Sequence, residues 1–293
     1  MSRIKDSITS FLFVVPALLM FIVFSVYPFL KVFQLSVFDW DGIARTMKFI
    51  GLNNFKNIFT LDNAFWISMR NAGFITFLAL TFQNTLAFFL AHIVDSEIRG
   101  KNFYRTIFFL PPVLSGIVVG LIWNWIYNSD YGLLNKFLIW LGFSNLARAW
   151  LSDPQTALLS VSIIHMWKGF GWGFVIFLAG LQGIPRDLYE AARVDGASET
   201  QILTKITIPI MIPIFFLVSI LTILGTMQIY DIIVSTTGGG PGFHTEVPIT
   251  RIIASMLGSS RFGYACAQGI VFGLVLLFIS LLQIKLSQNL RSE

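Results

Sequence analysis

The side chains best suited to chemistry in this sequence sit inside apolar surroundings. Lys168 stands about 12 residues into a hydrophobic stretch that begins near position 156, and His165, Gly169 and Trp172 share its helix face by their three- and four-residue spacing. An ammonium is costly in hydrocarbon, so Lys168 either snorkels toward an interface or faces water in a cavity. His165 is either a bonded core histidine or a companion of Lys168 in that cavity. A second stripe consists of Ser219, Thr222 and Thr226, again three and four residues apart. Its hydroxyls either bond their own or a neighbouring helix or meet a polar solute. Catalysis is poorly served by what remains. His92, His165 and His244 lie on separate segments and form no metal-ligand cluster, which argues against an intramembrane enzyme. Cys266 has no second cysteine to pair with. Gly238-Gly239-Gly240-Pro241-Gly242 is followed by no Lys-Ser/Thr pair, so it is a turn and not a phosphate loop, and no nucleotide-binding motif occurs elsewhere. Asp231, just past a hydrophobic stretch, is expected to be solvated.

The elements that must hold these residues are membrane spans. The chain is 55% hydrophobic and 12% charged, with a mean hydropathy of +0.75. A soluble domain carries about 25% charged residues, so this chain has too little polar surface to be wetted all round. Its apolar residues fall in blocks of about 20, the length that crosses roughly 30 Å of hydrocarbon. The expected spans are 10–30, 73–94, 106–126, 156–180, 208–228 and 265–284, which makes the fold all-α and integral to the membrane. The first block lacks a small-residue cleavage site and is read as a retained anchor. Six spans put both termini on one side. With that side cytoplasmic, the inner segments hold ten Lys and Arg in 53 positions and the outer ones nine in 103, a twofold bias in the expected direction. The net charge of +5 is scattered between apolar blocks without aromatic interleaving, so nucleic acid is not a partner. The long outer segments carry Trp40, Trp66, Trp140 and Trp150, which suits short interfacial helices. Trp123 and Trp125 are read as interface anchors in preference to platforms for a solute.

The loop between the fourth and fifth spans, 183–213, is the most informative stretch. Pro185 can open a short helix, Asp187 favours its N-terminal end and Gly196 can take the left-handed conformation that ends it. Ser198 with Gln201 three residues later forms a capping box that restarts a second helix at once. Pro209 and Pro213 remove backbone donors near the start of the next span and are expected to bend its entry. On the first helix Leu188, Ala191 and Ala192 form a small apolar face ringed by Glu190, Arg193 and Asp195. Such a helix either inserts into a partner's groove or lies as an ordinary loop on the membrane surface.

The order of residues in this loop decides between those readings by resemblance. Glu190-Ala191-Ala192, Asp195-Gly196-Ala197 and Ile206-Thr207-Ile208-Pro209 resemble the EAA loop of binding-protein-dependent ABC importer permeases. Ile184-Pro185 and Asp187-Leu188-Tyr189 before it are similar to the carbohydrate-uptake, maltose-type (MalF/UgpA-like) branch. So are Phe49-Ile50-Gly51-Leu52-Asn53-Asn54-Phe55, Leu110-Pro111 and Thr237-Gly238-Gly239-Gly240-Pro241. The resemblance covers nearly the whole chain. It implies six transmembrane helices of the type I (MetI-like) importer fold: an N-terminal helix and extracytoplasmic segment over 1–70, a core over 71–284 with the coupling loop at 183–209, and a short cytoplasmic tail over 285–293. It implies that Tyr189, Glu190, Ala191, Ala192, Arg193, Asp195 and Gly196 couple the pore to an ATP-binding subunit, Glu190 by its charge, the alanines by close fit and Gly196 by its turn. The solute path is then expected along His165, Lys168, Gly169, Trp172, Ser219, Thr222 and Thr226. Sugars suit these faces, because hydroxyls need polar partners and ring faces need flat ones such as Trp167 or Trp172.

The implied partners are a homologous second permease subunit, as a heterodimer, two ATP-binding subunits that carry ATP and Mg, and an extracytoplasmic solute-binding protein, all at the bacterial inner membrane. The chain itself is expected to hold no cofactor or metal and to perform no covalent chemistry. An ion-coupled secondary transporter is the rival class. It is disfavoured because the expected spans hold no buried carboxylate, no paired broken helices are evident, and the loop would be left unexplained.

Overall fold

A computed structural model describes residues 2–96 and 99–289; the last residues of the expected tail, 290–293, lie outside it. Among the described residues five helices are long and apolar enough to cross a bilayer, and a bent pair brings the number to six when its two halves are counted as one span. They are α1 (2–36, with its apolar span Phe13–Ser36), α3 (Asn63–Asp95), the pair α4 (Lys101–Val113) and α5 (Gly116–Ile126), α7 (Ala157–Gln182), α9 (Glu199–Met227) and α12 (Phe262–Asn289). Short helices lie between them: α2 (Asn53–Thr60), α6 (Leu133–Trp140), α8 (Arg186–Val194), α10 (Asp231–Thr236) and α11 (Pro248–Ile253). Four of these fall in the segments expected to be extracytoplasmic. Strands among the described residues are confined to β1 (Phe38–Asp39) and β2 (Lys48–Phe49), antiparallel with Phe38 opposite Phe49.

The helices depart from the expected spans in three places. The second begins at Asn63, ten residues early, because polar Asn71 and Ser68 are buried within helix and do not end it. The third is not straight: α4 and α5 meet at 97°. Pro111 and Pro112 in the last turn of α4 supply no amide protons, and Leu114 and Ser115 are extended. The carbonyl of Phe108, four residues before Pro112, loses its helical partner and lies against Gly171 of α7, where a Cβ would not fit. The fifth span and the second loop helix are one element, α9. A π turn at Leu203–Thr207, just ahead of Pro209, absorbs the missing donors, so the helix continues from Glu199.

The chain falls into two compact units. One comprises Met1–Asn63 with Ile252–Val275, so the start of α12 groups with the N-terminal segment. Within it Asn54 Nδ2 donates to the carbonyls of Ser36 (2.8 Å) and Phe38 (3.0 Å), pinning α2 to the end of α1. The buried carboxylate of Asp62 accepts from Tyr264 Oη and Gln268 Nε2, each at 2.8 Å. The other unit comprises Ala64–Arg251 with Leu276–Glu293, and α7 is its axis, packed against α3, α4, α5, α9 and α10. Ala87, Phe88, Ala91 and Val94 of α3, Phe174, Phe177, Leu178 and Leu181 of α7, and Met211 and Val218 of α9 make its core. Small residues set the spacing: a Cβ on Gly173 would stand 3.3 Å from the Cβ of Ala87. Gly116 and Gly120, four apart on α5, do the same for α10, since a Cβ at either would land on Asp231 or Ser235.

Candidate functional site

Two sites emerge, both within the α7-centred unit. The first is the loop helix α8. Pro185 is its N-cap residue, Asp187 lies in its first turn and Arg193 in its last, where each charge complements the helix dipole. The helix ends in a Schellman turn. Gly196 has a φ of +78°, its N–H donates to Arg193 O at 3.1 Å, and the Ala197 N–H donates to Ala192 O at 2.9 Å. Ser198 then caps α9 reciprocally: its Oγ accepts from the Gln201 N–H at 3.3 Å, and its N–H donates to Gln201 Oε1 at 2.8 Å. The expected turn and restart are therefore both present, and they hold the two helices at a defined joint. Arg193 Nε also donates to Glu199 Oε1 across the joint at 3.2 Å, but both side chains are exposed and the pair is worth only about 0–1 kcal/mol.

The root of the joint is buried and its tip is bare. Leu181, Ile184 and Ile202 are in the core, and Tyr189 packs there too, with its Oη 3.3 Å from Thr207 Oγ1. No residue of α8 is buried: Val194 is 87% exposed, Leu188 is exposed with it, and so are Glu190, Ala191, Arg193, Asp195 and Gly196. Of the seven residues expected to couple, Tyr189 thus turns inward and Ala192 is half-buried, while the other five lie on the surface. A polar cavity of about 830 Å³ borders α8, with His92, Asp95, Lys101 and Arg105 facing Glu190 and Arg193.

The second site is a cavity of about 440 Å³ between α3, α7 and α9. His165, Lys168, Gly169 and Trp172 of α7 line it together, as their spacing predicts, and Thr222 lines it from α9. Trp172 is 57% exposed and packs edge-on to Phe109 at 5.4 Å, whereas Trp167 is absent from the wall and meets Trp123 at 5.8 Å.

The hydroxyl stripe is divided. Ser219 donates to Phe215 O (2.7 Å) and borders a smaller cavity of about 230 Å³. Thr222 Oγ1 donates to Asn84 Oδ1 of α3 (3.1 Å). Thr226 is fully buried, 2.7 Å from Thr76 Oγ1 of α3, and donates to its own helix at Thr222 O. Of the two uses open to this stripe, helix packing therefore occupies all three hydroxyls, and Thr222 alone also meets the main cavity.

The cavity holds residues the spacing argument did not find. Asp231 lines it, half-buried, with Oδ1 accepting from the Ile232 N–H at 2.9 Å; it is not simply solvated. The signal was available in Gly116 and Gly120, whose spacing matches that of Asp231 and Ser235 on the helix they admit. Gln83, Gly225 and Gln228 complete the polar and open parts of the wall. An ammonium, a carboxylate, an imidazole, two amides and an indole around one space can bind a polar, hydroxylated molecule. Among the described residues no group of histidine, cysteine and acidic side chains could hold a metal.

The family described as binding-protein-dependent transport system inner membrane component matches residues 83–292, from the cavity wall through the α8 joint and α12. The chain belongs to that family. This inner membrane component is also 34% identical to the probable ABC transporter permease protein YurN of Bacillus subtilis (strain 168) over 99% of each chain. It is 30% identical to the probable starch degradation products transport system permease protein AmyD of Thermoanaerobacterium thermosulfurigenes, over 99% of this chain and 97% of that one. In fold it matches a chain of a bacterial ABC transporter involved in the import of the acidic polysaccharide alginate, with a TM-score of 0.86, 23% identity and 98% of each chain covered. The type I importer permease fold is thereby shown for the component.

Proposed function

We propose that this component forms half of the translocation pore of an ATP-driven importer for a sugar or oligosaccharide. The observation that carries the proposal is the bare helix α8, rooted by Tyr189 and Ile184 in the same core that walls the cavity. A force on α8 therefore reaches α7 and α9 through packed side chains. In this reading α8 seats in a cleft of an ATP-binding subunit, two copies of which hold ATP and Mg, and this chain carries out no hydrolysis itself. Closure of those subunits must favour the outward-facing pore by a differential free energy, and a joint that yields transmits little of it. Glu190, Ala191, Arg193 and Asp195 make the contact, and Gly196 holds the turn.

The names of relatives support a saccharide solute: besides starch degradation products, a solved relative in fold was captured with an alginate pentasaccharide-bound periplasmic protein. By the same reading the solute arrives on an extracytoplasmic binding protein, the second half of the pore is a homologous, non-identical permease, and both termini of this chain face the cytoplasm. The test is to tag this chain, purify it from membranes of its native host and identify what accompanies it. An ATP-binding subunit, a second permease and sugar uptake in reconstituted vesicles are expected. Purification without any ATPase, or labelling of a cysteine placed at Val194 from the extracytoplasmic side, would refute the proposal.

A further inference from the structure

Gln83 sits in the α3 wall of the cavity as the last residue of a π turn, Ala79–Gln83. Its side chain is 7% exposed, and Oε1, shielded from bulk solvent, accepts no hydrogen bond among the described residues. The other polar side chains on this part of α3 behave differently: Asn84 accepts from Thr222, and Thr76 meets Thr226. An amide carbonyl cut off from water and left unpaired destabilises a fold, so native structures leave few of them without a reason. Here the reason is the space beside it.

Two local features keep the acceptor where it is. A π turn inserts one residue into the α-helical register, which swings a side chain off the stripe it would otherwise occupy, and such turns concentrate at functional sites. Across the cavity wall, Gly169 leaves room for the amide, since a Cβ there would stand 2.9 Å from Gln83 Oε1 and 3.1 Å from Nε2. The wall also carries Lys168 and Asp231, one formal charge of each sign, so it has no net positive charge that would favour an acidic solute.

We propose that Gln83 is a solute-selecting residue: its carbonyl accepts a hydrogen bond from a hydroxyl of a neutral oligosaccharide in transit. The proposal rests on the sugar-importer reading and adds to it the acceptor and the charge class of the solute.

The experiment uses the complete transporter, with its binding protein, in proteoliposomes. Radiolabelled maltose, trehalose and diacetylchitobiose are screened on the unmodified protein, and the one transported is followed with its monodeoxy analogues. Gln83→Leu is expected to slow the parent sugar by about tenfold, while one analogue, lacking the donor hydroxyl, is moved slowly and equally by both proteins. A merely structural role predicts the same loss for the parent and every analogue; that result, or an unchanged rate for the parent, overturns the proposal. If the unmodified transporter moves none of the three sugars, these are excluded as its solutes. Gln83→Cys in a Cys266→Ser chain then decides independently, because Cys266 is the single native thiol. That thiol must react with a membrane-impermeant methanethiosulfonate during ATP turnover, and an unreactive one overturns the role of Gln83 whatever the solute.

Discussion

Gly196 is the residue at which coupling can be weakened in graded steps without touching the pore or replacing any of the side chains that make the contact. Its φ of +78° places it in the left-handed region, and a Cβ built on it meets nothing within 4 Å. A substitution therefore meets no steric obstacle beyond its own backbone. For alanine that conformational cost is about 1–2 kcal/mol, which corresponds to roughly 5- to 30-fold in the balance between a formed and a broken joint. Asparagine tolerates the left-handed region better and should lose less. Proline fixes φ near −65° and removes the N–H that donates to Arg193 O at 3.1 Å, so the Schellman turn cannot form. The measurement is sugar transported per ATP hydrolysed in proteoliposomes of the complete transporter, with the yield of membrane-inserted protein as control. Asparagine should retain most of the ratio, alanine should lose roughly 5- to 30-fold, and proline should abolish uptake while ATP hydrolysis and insertion persist. Equal losses for alanine and asparagine, or full uptake with proline, would show that the turn at Gly196 does not transmit the work.

Other sites separate packing from transport. Glu190→Lys reverses an exposed charge on α8 and should leave the protein in the membrane while reducing copurification of the ATP-binding subunit and uptake together. Thr226→Val removes the hydroxyl that joins α9 to α3; because Thr76 keeps its bond to Ala72 O, the loss of stability should be only about 0.5–1.5 kcal/mol, read as a modest fall in the melting temperature of the detergent-solubilised transporter. Gly120→Leu drives a side chain into Ser235 and Thr236 and should cost at least about 1–3 kcal/mol, seen as poor recovery of assembled protein. Gly225→Leu, by contrast, points into open space at the cavity wall, and should preserve assembly but reduce uptake. An assembly defect there as large as at Gly120 would refute that assignment.

Sequence alone determined the features whose physics is local or averaged over many residues. The apolar blocks announce about six crossings because the hydrocarbon thickness sets one length for them all. The α8 joint was legible down to single atoms, since Gly196, Ser198 and Gln201 act on neighbours within a few positions. The α7 face of the cavity was legible too, because a helix fixes which of its own residues align.

What the tertiary structure decided is which of these faces meet which. Ser219, Thr222 and Thr226 share one stripe, yet α3 takes up Thr226 and leaves only Thr222 at the cavity. The 97° break was signalled by Pro111 and Pro112, but proline inside an apolar block is also compatible with a continuous helix, as Pro213 in α9 demonstrates. Gly171 receiving the freed carbonyl of Phe108 is what separates the two cases. Asp231 and Gln83 enter the site from segments about 148 positions apart. No periodicity within either segment could bring them together, because their meeting depends on α7 packing simultaneously against α3 and α10.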